Sequence, residues 1–365
     1  MAWYELKNEG TVDTPALLFY KARIQQNIES AISIIGDSSR LRPHIKTNKT
    51  REVCEMMINA GIKKYKCATI AEAELLGMAG AGDVLLAYQP VGPKISRFVS
   101  VIKAYPGTRF SCLVDHTSPA NAINKTFGEE GLRAAVWLDV NTGMNRTGVN
   151  PEAAAKLIDE LLKLDSIDVI GIHFYDGHIV DKDFESRRRA SDEGFAKVDA
   201  IRNNFQSLTG REPVIAGGGS VTFAFHVHRK IECTPGTFVF WDMGYQHLLP
   251  EEPFLFSALV ATRIVSIVSD TLITCDLGYK SIAAENPLPR VYFLNAPDAV
   301  PFFQNEEHLV LKVPPGANYN VGDVLYGVPE HICPTVALFD EAVIVEDQRV
   351  TDHWEVSARK RKINY

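Results

Sequence analysis

The chain has 365 residues, 46% hydrophobic and 23% charged, enough to bury a large core and to build two domains or one barrel with an addition. Its formal net charge of −7 gives no electrostatic footprint for nucleic acid. No stretch reaches the roughly 18 uncharged residues of a membrane span, and Met1 to Lys7 lacks the basic start and apolar run of a secretory signal, so a cytoplasmic protein is expected.

In chain order, the run Trp3 to Lys7 reads as a strand that precedes the main body, so residues 1–14 are expected to join the β domain described below. From 15 to about 250, short β-branched or aliphatic runs alternate with longer amphipathic ones. The apolar runs fall at 16–19, 41–45, 65–68, 84–87, 110–114, 134–140, 169–174 and 214–216. Between them, apolar residues recur at three- and four-residue spacing, as in Ile24, Ile28, Ile32 and Ile35. Eight strand-helix units imply parallel pairing and close a (β/α)₈ TIM-type barrel over 15–250. An open doubly wound sheet would carry its glycine-rich loop after the first strand, whereas here the glycine triplet waits until the eighth run.

After Pro253 the texture changes to short strands at 258–268, 271–276, 290–294, 308–313, 323–327, 342–346 and 354–358, with turn signals such as Pro314-Pro315-Gly316 between them. Residues 251–365 therefore read as a smaller, antiparallel β domain. The fold class is α/β, a barrel with a second domain. Six cysteines scattered along a long chain read as free thiols, most of them buried. Arg187-Arg188-Arg189 reads as a solvated helix face.

The reactive face of such a barrel lies at the carboxyl ends of its strands, so residues just past each apolar run converge on one mouth. Lys46 closes the second run, and partial desolvation there favours the neutral amine that forms a Schiff base. Asn145 and Arg146 follow the sixth run, and His173, Tyr175 and His178 end the seventh. Gly217-Gly218-Gly219-Ser220-Val221-Thr222 lets backbone amides approach an anion closely, with two hydroxyls as further donors. Arg146 can supply a fixed positive donor to a phenolate or carboxylate.

His331 and Cys333 stand two apart before an expected strand from Thr335. Alternation along an extended segment would put both on one face, where imidazole and thiolate can grip one metal ion. Two protein ligands leave open positions, which suits a catalytic ion. A lysine, a phosphate loop and two soft ligands together read as an enzyme holding pyridoxal phosphate (PLP) beside a metal.

The stretches Asp13-Thr14-Pro15-Ala16-Leu17, Arg42-Pro43-His44-Ile45-Lys46-Thr47, Thr69-Ile70-Ala71-Glu72-Ala73-Glu74, Gly143-Met144-Asn145-Arg146-Thr147-Gly148, Tyr175-Asp176-Gly177-His178, Gly218-Gly219-Ser220, Thr234-Pro235-Gly236-Thr237-Phe238 and His331-Ile332-Cys333-Pro334-Thr335 run nearly end to end. In them the chain resembles the D-threonine aldolase and D-serine dehydratase family of PLP enzymes, whose barrel is similar to that of alanine racemase. The resemblance implies that Lys46 carries PLP covalently, that Arg146 faces the phenolic side of its ring, and that Tyr175 contacts it. It further implies that Gly218, Gly219, Ser220, Thr222 and Gly236 bind the cofactor, the loop residues among them at its phosphate. His331 and Cys333 would hold the divalent metal, with zinc favoured by the soft thiolate and manganese or magnesium as alternatives.

The implied activity is a lyase acting on D-β-hydroxy amino acids, retro-aldol cleavage first, D-serine dehydration to pyruvate and ammonia second, and amino-acid racemisation third. A homodimer is implied, with the metal ligands of one chain reaching the cofactor of the other. Two departures stand out: Cys333 occupies a position where some aldolases of the group carry Asp, and Val180 stands where relatives often carry histidine.

Overall fold

The computed structural model describes residues 1–365. The chain forms two compact units, one made of Met1–Ser30, Thr47–Val53 and Thr237–Arg359, the other of Ala31–Lys46, Cys54–Gly236 and Lys360–Tyr365.

In the second unit, seven parallel strands lie side by side in chain order: Lys64–Cys67, Asp83–Leu86, Arg109–Val114, Ala134–Val140, Ile167–Phe174, Val214–Gly217 and Glu232–Cys233. Parallel bridges from Leu41 to Cys233 and from His44 to Lys66 tie the two edges together. The segment 41–45 is thus one more stave, and the sheet closes into the expected (β/α)₈ barrel. Leu85, Leu113, Trp137 and Ala216 form a buried apolar cluster of this sheet.

Local chemistry sets the helices that return the chain between strands. Thr69 accepts a hydrogen bond from the Glu72 amide at 3.1 Å, and the Glu72 carboxylate accepts from the Ala68 amide at 2.6 Å, a reciprocal cap for Ile70–Met78. Asp183 caps Phe184–Thr209 by accepting from the Ser186 amide, and Gly210 ends it at φ +68°. At the end of the barrel away from the strand carboxyl termini, Arg42 is buried between Asp83 (2.5 Å) and Glu232 (2.7 Å), and Lys64 pairs with the same Glu232. A cavity of about 320 Å³ lies against that ion cluster.

The first unit is built on a mixed sheet. Its strand order is Val300–Gln304, Leu309–Lys312, Leu272–Cys275, Ala258–Ser269, Ala16–Tyr20, Glu341–Glu346 and Arg349–Glu355, with Val324–Pro329 also paired to Ala258–Ser269 and carrying Val291–Phe293. Alternation along Ala258–Ser269 sends Leu259 and Ala261 into one apolar cluster and Val260 and Ile264 into another, so the strand is covered on both faces up to Ile264 and exposed beyond it.

Four expectations are corrected here. Residues 16–19 are not the first barrel strand: Ala16–Tyr20 pairs antiparallel with Ala258–Ser269 and parallel with Glu341–Glu346. A fully buried apolar run carries no mark of which sheet it enters, and the missing barrel strand is the two-residue Glu232–Cys233, too short and too polar to stand out. No strand forms in residues 1–14. That segment makes turns and one short 3₁₀ helix, Glu9–Thr11, and enters the β unit's core through Leu6 and Val12 instead. The last strand is Arg349–Glu355 rather than 354–358, and Val300–Gln304 is an additional one. Finally, Arg187 is 1% exposed, its guanidinium donating to the carbonyls of Asp181 and Lys182, so only part of the arginine triplet is a solvated face.

All six cysteines are free, and five are buried. No helix is long and apolar enough to cross a membrane.

Candidate active site

The barrel mouth holds a cavity of about 260 Å³ whose lining includes His44, Lys46, Lys66, Asp139, Arg146, His173 and Tyr175. Lys46 follows the stave 41–45 and is half-buried, with its own amide donating to Nδ1 of His44 at 3.3 Å. Tyr175 follows the strand Ile167–Phe174. Its ring centroid lies 5.9 Å from the Lys46 ammonium, 5.4 Å from that of Lys66 and 5.0 Å from the Arg146 guanidinium. Three basic side chains around one aromatic ring make a site that favours an anionic occupant.

Arg146 is exposed on a loop whose shape is set by Asn141. The Asn141 carboxamide oxygen accepts from the amides of Gly143 and Asn145, both at 3.1 Å, and its NH₂ donates to the Asn145 side chain at 2.9 Å. Gly148 is held at φ +99°, where a Cβ would come 2.6 Å from the Asn141 nitrogen. Glycine is required there by both space and backbone conformation.

The loop 217–222 leaves the strand Val214–Gly217. Gly218 has φ +78°, and a Cβ on it would lie 2.4 Å from the His226 ring; one on Gly219 would lie 2.9 Å from Tyr175. The amides of Ser220 and Val221 donate to no atom of the chain, and the Gly236 amide reaches the Ser220 hydroxyl at 3.4 Å. The loop thus offers free backbone donors, which fit a phosphate group.

Thr222 behaves differently from expectation. Its hydroxyl donates to Asp176 at 2.8 Å and accepts weakly from the Gly219 amide at 3.3 Å, so it braces the loop rather than facing an anion. Asp176 also accepts from Nε2 of His226 at 2.9 Å. Burial opposes the Asp176 carboxylate, but His226 and Thr222 overcome it and hold its pKa below the usual carboxylate value.

Sequence reasoning missed Lys66 as a site residue. It is 2% exposed, donates to the Thr234 hydroxyl at 2.8 Å, and meets Nε2 of His173 at 3.3 Å. His173 in turn meets Asp139 at 2.7 Å through Nδ1, the two being direct register partners on adjacent strands. Burial, reinforced by the Lys66 charge, keeps the His173 imidazole below its ordinary value despite the Asp139 carboxylate. Burial and the neighbouring charge of Lys46 bring Lys66 down to about 7; Asp139 and Asp176 oppose this and Arg146 adds to it.

The folded value for Lys66 lies below the unfolded one, so between about pH 7 and 10 the unfolded chain binds more protons and stability rises with pH. The penalty is fully present below that window and gone above it. Urea unfolding of cofactor-free protein should show a contribution of up to about 1.4 kcal/mol per pH unit that is missing in Lys66→Met. Comparing the two proteins cancels the titration of the buried cysteines.

The expected metal ligands, His331 and Cys333, lie in the other unit. No strand carries them: His331 is the N-cap residue of a short helix, Ile332–Val336, and the expected strand from Thr335 is absent. The helical turn, not strand alternation, brings His331 and Cys333 into hydrogen-bonding range. Nδ1 of His331 meets Glu285 at 2.5 Å, the carboxylate-imidazole arrangement that orients a metal-binding histidine. The Cys333 thiol lies 3.1 Å from the Thr47 hydroxyl and 3.5 Å from that of Thr237. Burial pulls the His331 pKa down, but Cys333, Asp242 and Glu285 carry it up to about 9. No third His, Cys, Asp or Glu completes the set, so a bound ion would keep open positions.

Two family models match the chain in succession. Residues 20–242 match the alanine racemase N-terminal domain and residues 257–345 a serine dehydratase domain. The first covers more than half of the chain, which belongs to the alanine racemase N-terminal domain family. It is 27% identical over 361 residues to a D-threonine aldolase of Arthrobacter sp, covering 95% of this chain and 93% of that one. A 3-hydroxy-D-aspartate aldolase of Paracoccus denitrificans is 24% identical over 373 residues, covering 96% and 93%. Among solved structures, a D-threonine aldolase from Filomicrobium marinum superposes with a TM-score of 0.89 at 23% identity, over 98% of both chains. D-threo-3-hydroxyaspartate dehydratase from Delftia sp. HT23 superposes at 0.83 and 21%, over 94% of this chain and 97% of that one. At these identities the structural likenesses establish the fold.

Proposed function

We infer that this chain is a PLP- and divalent-metal-dependent lyase that cleaves D-β-hydroxy amino acids to glycine and an aldehyde, as a D-threonine aldolase does. The observation that carries the reading is the convergence of Lys46, Arg146 and Tyr175 on one barrel-mouth cavity. The end-to-end relatives bearing aldolase names support it.

PLP, when bound, supplies an electron sink for the pair left on the substrate's Cα. Lys46 would hold it through its amine, with Gly218, Gly219 and Ser220 at its phosphate and Gly236 behind Ser220. Thr222 would keep that loop in shape through Asp176. Arg146 would balance negative charge on the ring side, and Tyr175 would offer it a flat face. His331 and Cys333 would hold the ion, zinc by preference, which acidifies and orients the substrate's β-hydroxyl. A homodimer and a cytoplasmic location belong to the same reading; the free cysteines support a reducing compartment.

D-Serine dehydration is the second reading, favoured by the serine dehydratase match at 257–345 and by the thiolate ligand Cys333. Product analysis separates them. D-Threonine should give glycine and acetaldehyde; accumulation of 2-oxobutanoate from D-threonine, or pyruvate from D-serine, with ammonia and no glycine, would replace the aldolase reading by the dehydratase. Conversion of D-threonine only to its α-epimer would point to a racemase.

Gly219→Val tests the phosphate cradle. Its side chain would press on the half-buried ring of Tyr175, at the cavity. Cofactor retention on dialysis, followed by visible absorbance, should fall while the thermal unfolding of the cofactor-free protein changes little. Undiminished retention would count against the loop.

A further inference from the structure

The Lys66 amine has three substituent positions beyond its carbon, and the fold occupies two of them. Thr234 donates its own hydroxyl proton to the Gly218 carbonyl at 2.6 Å, so towards Lys66 it can only accept. His173, with Nδ1–H given to Asp139, presents the lone pair of Nε2. Both partners therefore take N–H groups from Lys66, and both are themselves fixed by a second hydrogen bond. The third position is left to the cavity that Lys66 lines. It carries a lone pair when the amine is neutral and a proton when it is charged.

We propose that Lys66 is a second catalytic amine of this site, exchanging the proton at that third position with the bound amino acid. The charged groups acting on it are Lys46 and Arg146, which disfavour its protonation, and Asp139 and Asp176, which favour it. Near neutral pH the balance leaves both forms populated, as a group that takes and returns a proton needs. His173 and Asp139 are positioning residues, because they act through Lys66.

In the lyase reading, on which the identity of the substrate rests, the step balances as a closed cycle. Lys66 takes the β-hydroxyl proton, the O–H pair forms the aldehyde carbonyl, and the Cα–Cβ pair passes to Cα. Lys66 then gives that proton to Cα, so glycine and aldehyde leave and the amine is neutral again.

Two measurements test this, one of them without cofactor. In cofactor-free protein made with carbon-13-labelled lysine, the resonance that disappears in Lys66→Met should titrate with a midpoint near pH 7. A midpoint above about 9, close to an ordinary lysine, would overturn the proposal. If Lys66→Met does not fold, Lys66→Arg provides the same assignment.

In the PLP-loaded protein, exchange of the α-hydrogens of glycine with deuterium oxide is followed by proton NMR. Lys66→Met and Lys66→Arg should each slow it at least about 100-fold with the cofactor's absorbance retained. Arginine restores charge and donors but keeps its proton near neutrality, so rescue by Lys66→Arg would mark a structural role and overturn the proposal. Exchange at the wild-type rate in Lys66→Met, or none in the wild type, would overturn it as well. Failure to cleave D-threonine with glycine exchange intact would sink the lyase reading and leave this one standing.

Discussion

Lys46→Ala should lose turnover of D-threonine by on the order of 10⁴-fold or more, the scale seen when an enzyme's covalent nucleophile is removed. Lys46 closes the stave 41–45 at the barrel mouth and lines the cavity with Arg146 and Tyr175. The loss should be in kcat, and soluble, folded protein should still be obtained because the side chain is only half-buried. Lys46→Arg should be no better: the guanidinium keeps its proton and cannot condense with an aldehyde. Activity within tenfold of wild type in either variant, measured by glycine release, would remove Lys46 from the chemistry.

The second large effect concerns the metal. Chelation, and separately Cys333→Ala, should lower D-threonine cleavage by roughly 10²–10³-fold, the scale of losing an electrostatic stabiliser. The cofactor's visible absorbance should be unchanged, since the residues proposed to hold it belong to the barrel. Glu285→Gln should have a smaller effect, about 10–100-fold in metal affinity, because it removes the carboxylate that orients His331 rather than a ligand. Elemental analysis of the purified protein supplies the readout. Full activity in Cys333→Ala with no metal in the wild type would make the pair structural and bring the racemase reading forward.

Much of the barrel could be read from periodicity, because parallel strands covered on both faces give continuous apolar runs that contrast with the helices between them. The assignment of Ala16–Tyr20 could not. Its five buried residues suit either sheet, and the choice was made by pairing with strands some 240 and 325 positions downstream, at Ala258–Ser269 and Glu341–Glu346. Glu232–Cys233 escaped because two residues carry no period.

At the mouth, Lys46 is legible as a cavity residue because its position follows an apolar run. Lys66 was hidden by its strand. In Lys64-Tyr65-Lys66-Cys67 the alternation of lysine with apolar residues imitates a half-exposed strand with its lysines in water. The two lysines do share a face, but it is the barrel's interior: Lys64 pairs with Glu232 at the end opposite the mouth, and Lys66 lies at the mouth. A short helix rather than a strand brings His331 and Cys333 together, and five residues of helix are not marked by any period. Thr222, a hydroxyl beside a glycine triplet, read as a phosphate donor, but a buried carboxylate, Asp176, competes for it.

Reduction of the PLP-loaded protein with borohydride, followed by digestion and mass spectrometry, tests most directly which amine holds the cofactor. Lys46 and Lys66 line the same cavity, so the result is a choice between two neighbours. A single phosphopyridoxyl label is expected, on Lys46, with Lys66 unmodified. A label on Lys66, or none on either lysine, would contradict that assignment.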